Sequence, residues 1–284
     1  MKGKYNIPRA TLEELYYRDR LSQREIASRL GCSSAAVCRC LAEYGLPTPR
    51  RNRVTFLRRR AEHYWRCQWS PEIAYAVGLI TSDGCLAPDG QHVIFTSCDL
   101  ALIESFRHCL RLSNRIREEH KSSISVQQCY RVGLGDVAFY QWLLDIGLMP
   151  DKSRRLNALN IPNEYFADFL RGYLDGDGSF SVYTDAYRHH MYKGKQYVYQ
   201  CLYTRFYSAS RQYLSWLQLM LTRLLGTNGA IIKKGGEEKE DTARWELRYA
   251  KEDSIRLVRW MYYHPDIPCL HRKRALVSQY LEDE

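Results

Sequence analysis

The 284-residue chain is 45% hydrophobic and carries 42 Lys and Arg against 32 Asp and Glu, a formal net charge of +10. That length and apolar content allow a sizeable core divided into two or three units, and no run of about 18 uninterrupted apolar residues marks a membrane span. The start, Met1-Lys2-Gly3-Lys4, lacks the apolar centre of a secretory signal, so a cytoplasmic, nucleoid-associated protein without a membrane partner is expected.

The charge is unevenly placed. Residues 1 to 70 hold fifteen Lys and Arg against six Asp and Glu, so nearly all of the positive surplus lies at the N-terminal end. Such a segment suits a polyanion, because each neutralised phosphate releases condensed counterions. An anionic membrane surface is the poorer match, since no strongly apolar helix face accompanies the charge. The ten cysteines are scattered without CxxC pairs, which favours reduced core thiols; Cys38-x-Cys40 has no second pair to complete a zinc site.

Leu12 to Arg18 is expected as a short amphipathic helix. Ser22-Gln23-Arg24-Glu25 has the capping-box form and predicts a second helix from Gln23 to Leu30. Gly31 permits a tight turn, Ser33 or Ser34 caps a third helix, and Ala36, Val37, Leu41 and Tyr44 mark its apolar face before Gly45 and Pro47 end it. Helix, capped helix, glycine turn, helix resembles a helix-turn-helix DNA-binding domain over residues 1–49, with a small helical packing module as the alternative. In the DNA-binding reading Ser33, Ser34, Ala35, Cys38 and Arg39 lie on or near the recognition helix. A basic linker over 50–70 follows, in which Arg50, Arg51, Arg53, Arg58 and Arg59 could track phosphates.

The remainder is an internal repeat. Tyr75-Ala76-Val77-Gly78-Leu79-Ile80-Thr81-Ser82-Asp83-Gly84 and Phe169-Leu170-Arg171-Gly172-Tyr173-Leu174-Asp175-Gly176-Asp177-Gly178 share one pattern, and each opens a similar succession of elements. In the first half, 71–155, a hairpin turns at Pro88-Asp89-Gly90 into a strand over Val93–Ser97. Helix Leu100–Leu110, a hairpin ending in Tyr130–Leu134 and helix Val137–Ile146 follow. In the second half, 156–284, a longer hairpin turns near Lys193-Gly194-Lys195 into Val198–Ser208. Helix Gln212–Leu225, a hairpin through Gly235-Gly236 to Trp245–Tyr249 and helix Ser254–Tyr263 complete it. Ile94-Phe95-Thr96-Ser97 aligns with Arg205-Phe206-Tyr207-Ser208. The strands are joined by short hairpins and not by parallel crossovers, so the class is α+β.

Within each motif small residues fall at i, i+4 and i+8: Ala74, Gly78 and Ser82 in one, and Gly172 and Gly176 after Asp168 in the other. Two such helices can pack unusually close. Asp83 and Asp177 stand in the last turn, before glycines expected as left-handed caps, where a carboxylate opposes the helix dipole. Two close helices would bring the acids together, and their repulsion favours a divalent cation.

Both copies resemble the LAGLIDADG signature of homing endonucleases and related maturases, and the likeness with its flanking repeat covers roughly residues 66 to 280. The resemblance implies tandem αββαββα half-domains with pseudo-two-fold symmetry and saddle-shaped antiparallel sheets that lie on DNA. It implies Mg2+ or Mn2+ at Asp83 and Asp177, with the backbone carbonyls of Ser82 and Gly176 as further ligands and Gly78 and Gly172 as helix-packing residues. Lys152 and Lys273, equivalently placed after each half's last aligned helix, would stabilise the transition state or polarise water; as surface lysines they would be unremarkable. Where many relatives carry a water-positioning Gln, this chain has Ser97 and Ser208, whose shorter hydroxyls would act through an extra water unless the role lies elsewhere. On the saddle, Lys193, Lys195, Tyr199 and Arg205 are candidate DNA contacts; Tyr197, Tyr199, Tyr203, Arg205 and Tyr207 alternate on one strand face and mix stacking surface with a cation, and some of these tyrosines could equally serve a core.

The function implied is a metal-dependent, staggered double-strand break at one long pseudo-symmetric duplex site, made by a monomer because one chain holds both halves. The alternatives are a maturase whose partner is a host intron RNA and a catalytically silent DNA-binding regulator. An intein is not expected, since the chain lacks a splicing nucleophile at its start and a terminal His-Asn.

Overall fold

The computed structural model describes residues 7–19, 21–46, 64–120, 128–192, 195–235 and 244–281, with backbone alone at 120, 185–192 and 195–199. The chain divides into two units, Met1–Glu62 and His63–Glu284.

The described residues of the smaller unit form three helices. Helix α1 spans Arg9–Glu13 after Pro8 and continues as a wider π turn over Glu14–Arg18, so the single helix expected over Leu12–Arg18 is instead an earlier start with an irregular end. Leu12 and Leu15, three residues apart, are both buried by this path. Helix α2 (Gln23–Leu30) carries the expected capping box: Glu25 N donates to Ser22 Oγ at 3.3 Å and Ser22 N donates to Glu25 Oε2 at 2.7 Å. Gly31 adopts φ 65°, where only glycine is unstrained, and Ser33 Oγ accepts from Ala36 N at 3.2 Å to open α3 (Ser34–Glu43). Ile26, Ala27, Val37, Cys40 and Leu41 close the core with Leu12 and Leu15.

The larger unit repeats one plan twice. Its first half runs α4 (Pro71–Asp83), β1 (Gly84–Leu86), β2 (His92–Ser97), α5 (Leu100–Cys109), β3 (Arg117–His120), β4 (Gln128–Gly135) and α6 (Val137–Asp145). Its second half runs α7 (Phe166–Asp177), β5 (Gly178–Tyr192), β6 (Lys195–Ser208), α8 (Arg211–Leu225), β7 (Ala230–Lys234), β8 (Arg244–Tyr249), α9 (Lys251–Met261) and the short α10 (His271–Ala275). The two antiparallel sheets have the same order, β1-β2-β4-β3 and β5-β6-β8-β7. Equivalent registers confirm the aligned strands: Gly84 pairs with Phe95 and Gly178 with Phe206. The αββαββα succession implied by the motif resemblance is thus the architecture observed.

Strand alternation sets the faces. Val93, Phe95, Val132 and Leu134 in one sheet, and Leu202, Phe206, Leu247 and Tyr249 in the other, turn inward onto the helices and are buried. Burying each such side chain contributes roughly 1.5–3 kcal/mol. Helices α4 and α7 lie at the junction of the halves and pack against each other. Residues 64–70 pack on this larger core: Arg66 Nε donates to the Leu110 carbonyl at 3.0 Å, its guanidinium pairs with Asp136 at 3.3 Å, and Trp65 and Trp69 cover apolar neighbours.

Cys98 and Cys129, which flank the paired residues Ser97 and Tyr130, are joined in a disulfide. The other eight cysteines are free, in keeping with mostly reduced thiols; this one pair forms because neighbouring strands place side chains that are distant in sequence directly opposite one another. No helix among the described residues is long and apolar enough to cross a membrane.

Candidate functional site

The two motif helices touch through backbone. A Cβ on Gly78 would stand 2.2 Å from the Phe169 carbonyl oxygen, and one on Gly172 would stand 2.1 Å from that of Tyr75. No side chain fits at either position, so the glycines fix the separation of α4 and α7. At the far end of the contact, a Cβ on Gly176 would meet Ser82 Oγ at 1.9 Å and Asp83 Oδ2 at 3.0 Å. The first motif's acid therefore lies against the second motif's last turn.

Asp83 and Asp177 are the final residues of α4 and α7, each followed at once by a strand. The glycines after them are not left-handed caps: Gly84 has φ −81° and ψ 158°, and Gly178 has φ −108° and ψ 172°. Their need for glycine is steric. The strand doubles back so tightly that a Cβ would stand 2.5 Å from Ile80 Cα or 2.7 Å from Leu174 Cα. The acids are thereby presented at an abrupt helix-to-strand switch. Asp177 is raised to about 6 by burial of its carboxyl and by the negative charge of Asp83, with Lys152, Lys273 and Arg244 opposing. The two carboxylates thus lie close enough to repel one another, while three cations nearby oppose that repulsion.

Lys152 and Lys273 are each 7% exposed and not surface residues. Lys152 Nζ donates to the Gly84 carbonyl and, at 3.4 Å, to that of Ser82. Lys273 Nζ donates to the carbonyls of Leu174, Asp175 and Gly178 at 2.7, 2.8 and 2.7 Å. Each ammonium therefore satisfies carbonyls that the end of its motif helix leaves open and places a positive charge at the negative end of the dipole. Burial lowers both lysines, Lys273 to about 8. The Gly176 carbonyl is not among Lys273's acceptors, whereas the Ser82 carbonyl is shared with Lys152.

A buried network holds α10, the bearer of Lys273, in place. The Asp175 carboxylate accepts from Leu270 N at 2.7 Å and, across the helix pair, from the Tyr75 hydroxyl at 2.8 Å. Burial raises this carboxyl despite those donors. Arg171 pairs with Asp168 and donates to the Met261 and Pro268 carbonyls at 2.6 and 2.7 Å, tying α7 to the segment before α10. Asp168 is thus a buried ion-pair partner and not a member of the small-residue contact line.

Ser97 and Ser208 occupy equivalent places, and each Oγ accepts the backbone NH two residues on, from Asp99 at 3.1 Å and Ser210 at 3.0 Å. They close strand-to-helix turns. On the open face of the second sheet lie Tyr203, Arg205 and Tyr207, opposite the core-facing Leu202, Thr204 and Phe206. Lys193 lies outside the described residues, as do the side chains of Lys195, Tyr197 and Tyr199 and the linker arginines at 50, 51, 53, 58 and 59. In the smaller unit Ser33, Ala35, Cys38 and Arg39 are exposed and Ser34 is half-buried.

The register adds residues that the linear pattern missed. Arg117 and Arg131 pair directly on the first sheet, and with His92, Ile94, Asn114 and Arg115 they line a groove on it. On the second, Arg248 is opposite Arg205 and Glu246 opposite Tyr207. Alternation within each short strand and the hairpin partners were visible in the sequence, but the pairing of β2 with β4 and of β6 with β8 was not.

No family model matches this sequence, and no curated protein matches it. Among solved structures, the chain is similar to full-length DUF199/WhiA from Thermatoga maritima, with 14% identity and a TM-score of 0.44 over 76% of this chain. It spans 63% of that protein's length. It is also similar to the homing endonuclease I-DmoI in complex with DNA and Ca, with 14% identity and a TM-score of 0.45 over 73% of this chain and 97% of that one. Meganuclease I-SmaMI bound to uncleaveable DNA gives 13% identity and a TM-score of 0.49 over 73% and 88% of the two chains.

Proposed function

We propose that this chain is a LAGLIDADG-type endonuclease that makes a metal-dependent, staggered double-strand break at a long pseudo-symmetric DNA site. The observation that carries the reading is the meeting of two non-equivalent acids, Asp83 and Asp177, at the ends of helices held in backbone contact. Ordinary core packing accounts for the glycines but not for a carboxylate at the unfavourable end of each helix dipole.

The donor set fits a hard divalent cation such as Mg2+ or Mn2+, which takes oxygen ligands and retains water. Among the described residues no three His, Cys, Asp or Glu side chains gather as a metal-binding group, so the protein's share would be the two carboxylates and the carbonyls of Ser82 and Gly176. When bound, such an ion supplies an activated water and a sink for charge on phosphate oxygens. Asp83 and Asp177 hold negative charge at the centre of the pseudo-two-fold. Lys152 and Lys273 hold the helix ends that carry those acids, and their positive charge faces the site. The open sheet faces, with Arg117 and Arg131 on one and Arg205 and Arg248 on the other, bind the duplex on either side of that centre. The helix-turn-helix unit and arginine linker add affinity and target choice without entering the chemistry.

That separate unit also suits the second reading, a silent DNA-binding regulator. Selection of bound duplexes from a randomised library, followed by incubation of the enriched duplex with Mg2+ or Mn2+, distinguishes the two. The endonuclease reading expects both strands to be cut and EDTA to abolish cutting while binding persists. Binding without cutting under either metal would leave the regulator.

A further inference from the structure

Glu246 sits where strand alternation points it outward, opposite Tyr207 on the open face of the second sheet, yet it is only 2% exposed. Long side chains cover it. Arg205 Nε lies 3.6 Å from Oε1, Arg248 Nε lies 3.8 Å from the same oxygen, and Lys234 Nζ lies 3.4 Å from Oε2. Oε1 is buried and accepts no hydrogen bond among the described residues. Both guanidiniums also lean over the Tyr203 ring, at 5.2 and 5.6 Å from its centroid, and Arg205 reaches Ser181 Oγ.

A buried carboxylate is costly unless cations compensate it, and here three cations share one anion while neither arginine closes on Oε1. The arrangement pulls Arg205 and Arg248 down onto the sheet and braces them against an aromatic ring. It leaves the cluster two positive charges in place of three. An arginine held in one geometry can match the fixed acceptor pattern of a base edge, whereas one free to swing pairs with whichever phosphate is nearest. Because the Glu246 oxygens are covered, its effect reaches the duplex through the cations.

We infer that Glu246 is a specificity-determining positioning residue, a built-in counter-anion that orients Arg205 and Arg248 for base readout and suppresses indiscriminate phosphate binding. The inference rests on the proposed DNA-binding function. Glu246→Gln keeps the shape and removes the charge, so affinity for random-sequence duplex rises, and the slope of log affinity against log salt steepens by about 0.9. Discrimination between the selected duplex and a scrambled one falls about tenfold, one bidentate contact's worth. Glu246→Asp keeps the charge and retracts it, so the salt slope stays at the wild-type value while discrimination falls. The Asp variant carries the test alone if thermal melting shows that the Gln variant does not fold.

Two failures are separable. A wild-type protein that enriches no sequence from the library overturns the DNA-binding reading and the inference with it. A wild-type protein that enriches a site which the folded Glu246 variants bind with undiminished discrimination overturns the inference alone.

Discussion

Each motif helix ends on an acid, against its own dipole, and each receives a buried ammonium from a segment far along the chain. These two pairs of residues should separate experimentally. Asp83→Asn and Asp177→Asn preserve size and remove charge, so duplex binding should persist while cleavage falls about a thousandfold, the equivalent of losing ~4 kcal/mol of transition-state stabilisation. Wild-type-like double-strand cutting by both variants on the enriched duplex with Mg2+ would reduce the motif helices to a packing device. Lys273→Met removes the donor to three carbonyls, and leaving such groups unsatisfied costs about 1–3 kcal/mol each at most. A lowered melting temperature together with lost cutting is expected. A Lys273→Met protein of unchanged stability would instead assign the lysine to chemistry alone.

Among the elements, α4 and α7 tolerate least. Gly78→Ala or Gly172→Ala forces a methyl into opposing backbone and should destabilise by about 1–3 kcal/mol or more, since main chain cannot yield as a side chain does. Cutting should fall in parallel, because the same contact brings the acids together; calorimetry beside a cleavage assay checks both. The contrast lies at α2. Ser22→Ala breaks a solvent-exposed capping box and should cost the smaller unit about 1 kcal/mol. Amide exchange should accelerate in residues 7–46 and stay unchanged in the larger unit.

The whole molecule concentrates positive charge in one unit and paired acids in the other. Removing residues 1–62 should weaken binding and flatten its salt dependence while metal-dependent cutting survives at high protein concentration. Complete loss of cutting by a folded 63–284 protein would put the smaller unit inside the chemistry. Both halves of the pseudo-two-fold lie on one chain, so sedimentation should find one protein per minimal duplex. Two copies on such a duplex would contradict the single-chain arrangement.

Much of this was local and therefore legible. The repeat spacing, the capping box at Ser22, the turn at Gly31 and the alternating strands each depend on a few neighbouring residues. From them came the helix and strand succession, the α+β class and the positions of Asp83 and Asp177. Helix contact through Gly78 and Gly172 was also readable, because glycines spaced four apart line one face of a helix. What tertiary structure decided was long-range. Gly84 and Gly178 serve close packing in extended conformation and not a left-handed cap, a choice set by how tightly each strand returns along its helix. Lys152 and Lys273 hold carbonyls roughly seventy to one hundred residues away, so no window of sequence could assign those partners. The same holds for the burial of Glu246: its strand pattern points it outward, and only the convergence of Arg205, Lys234 and Arg248 from three strands covers it.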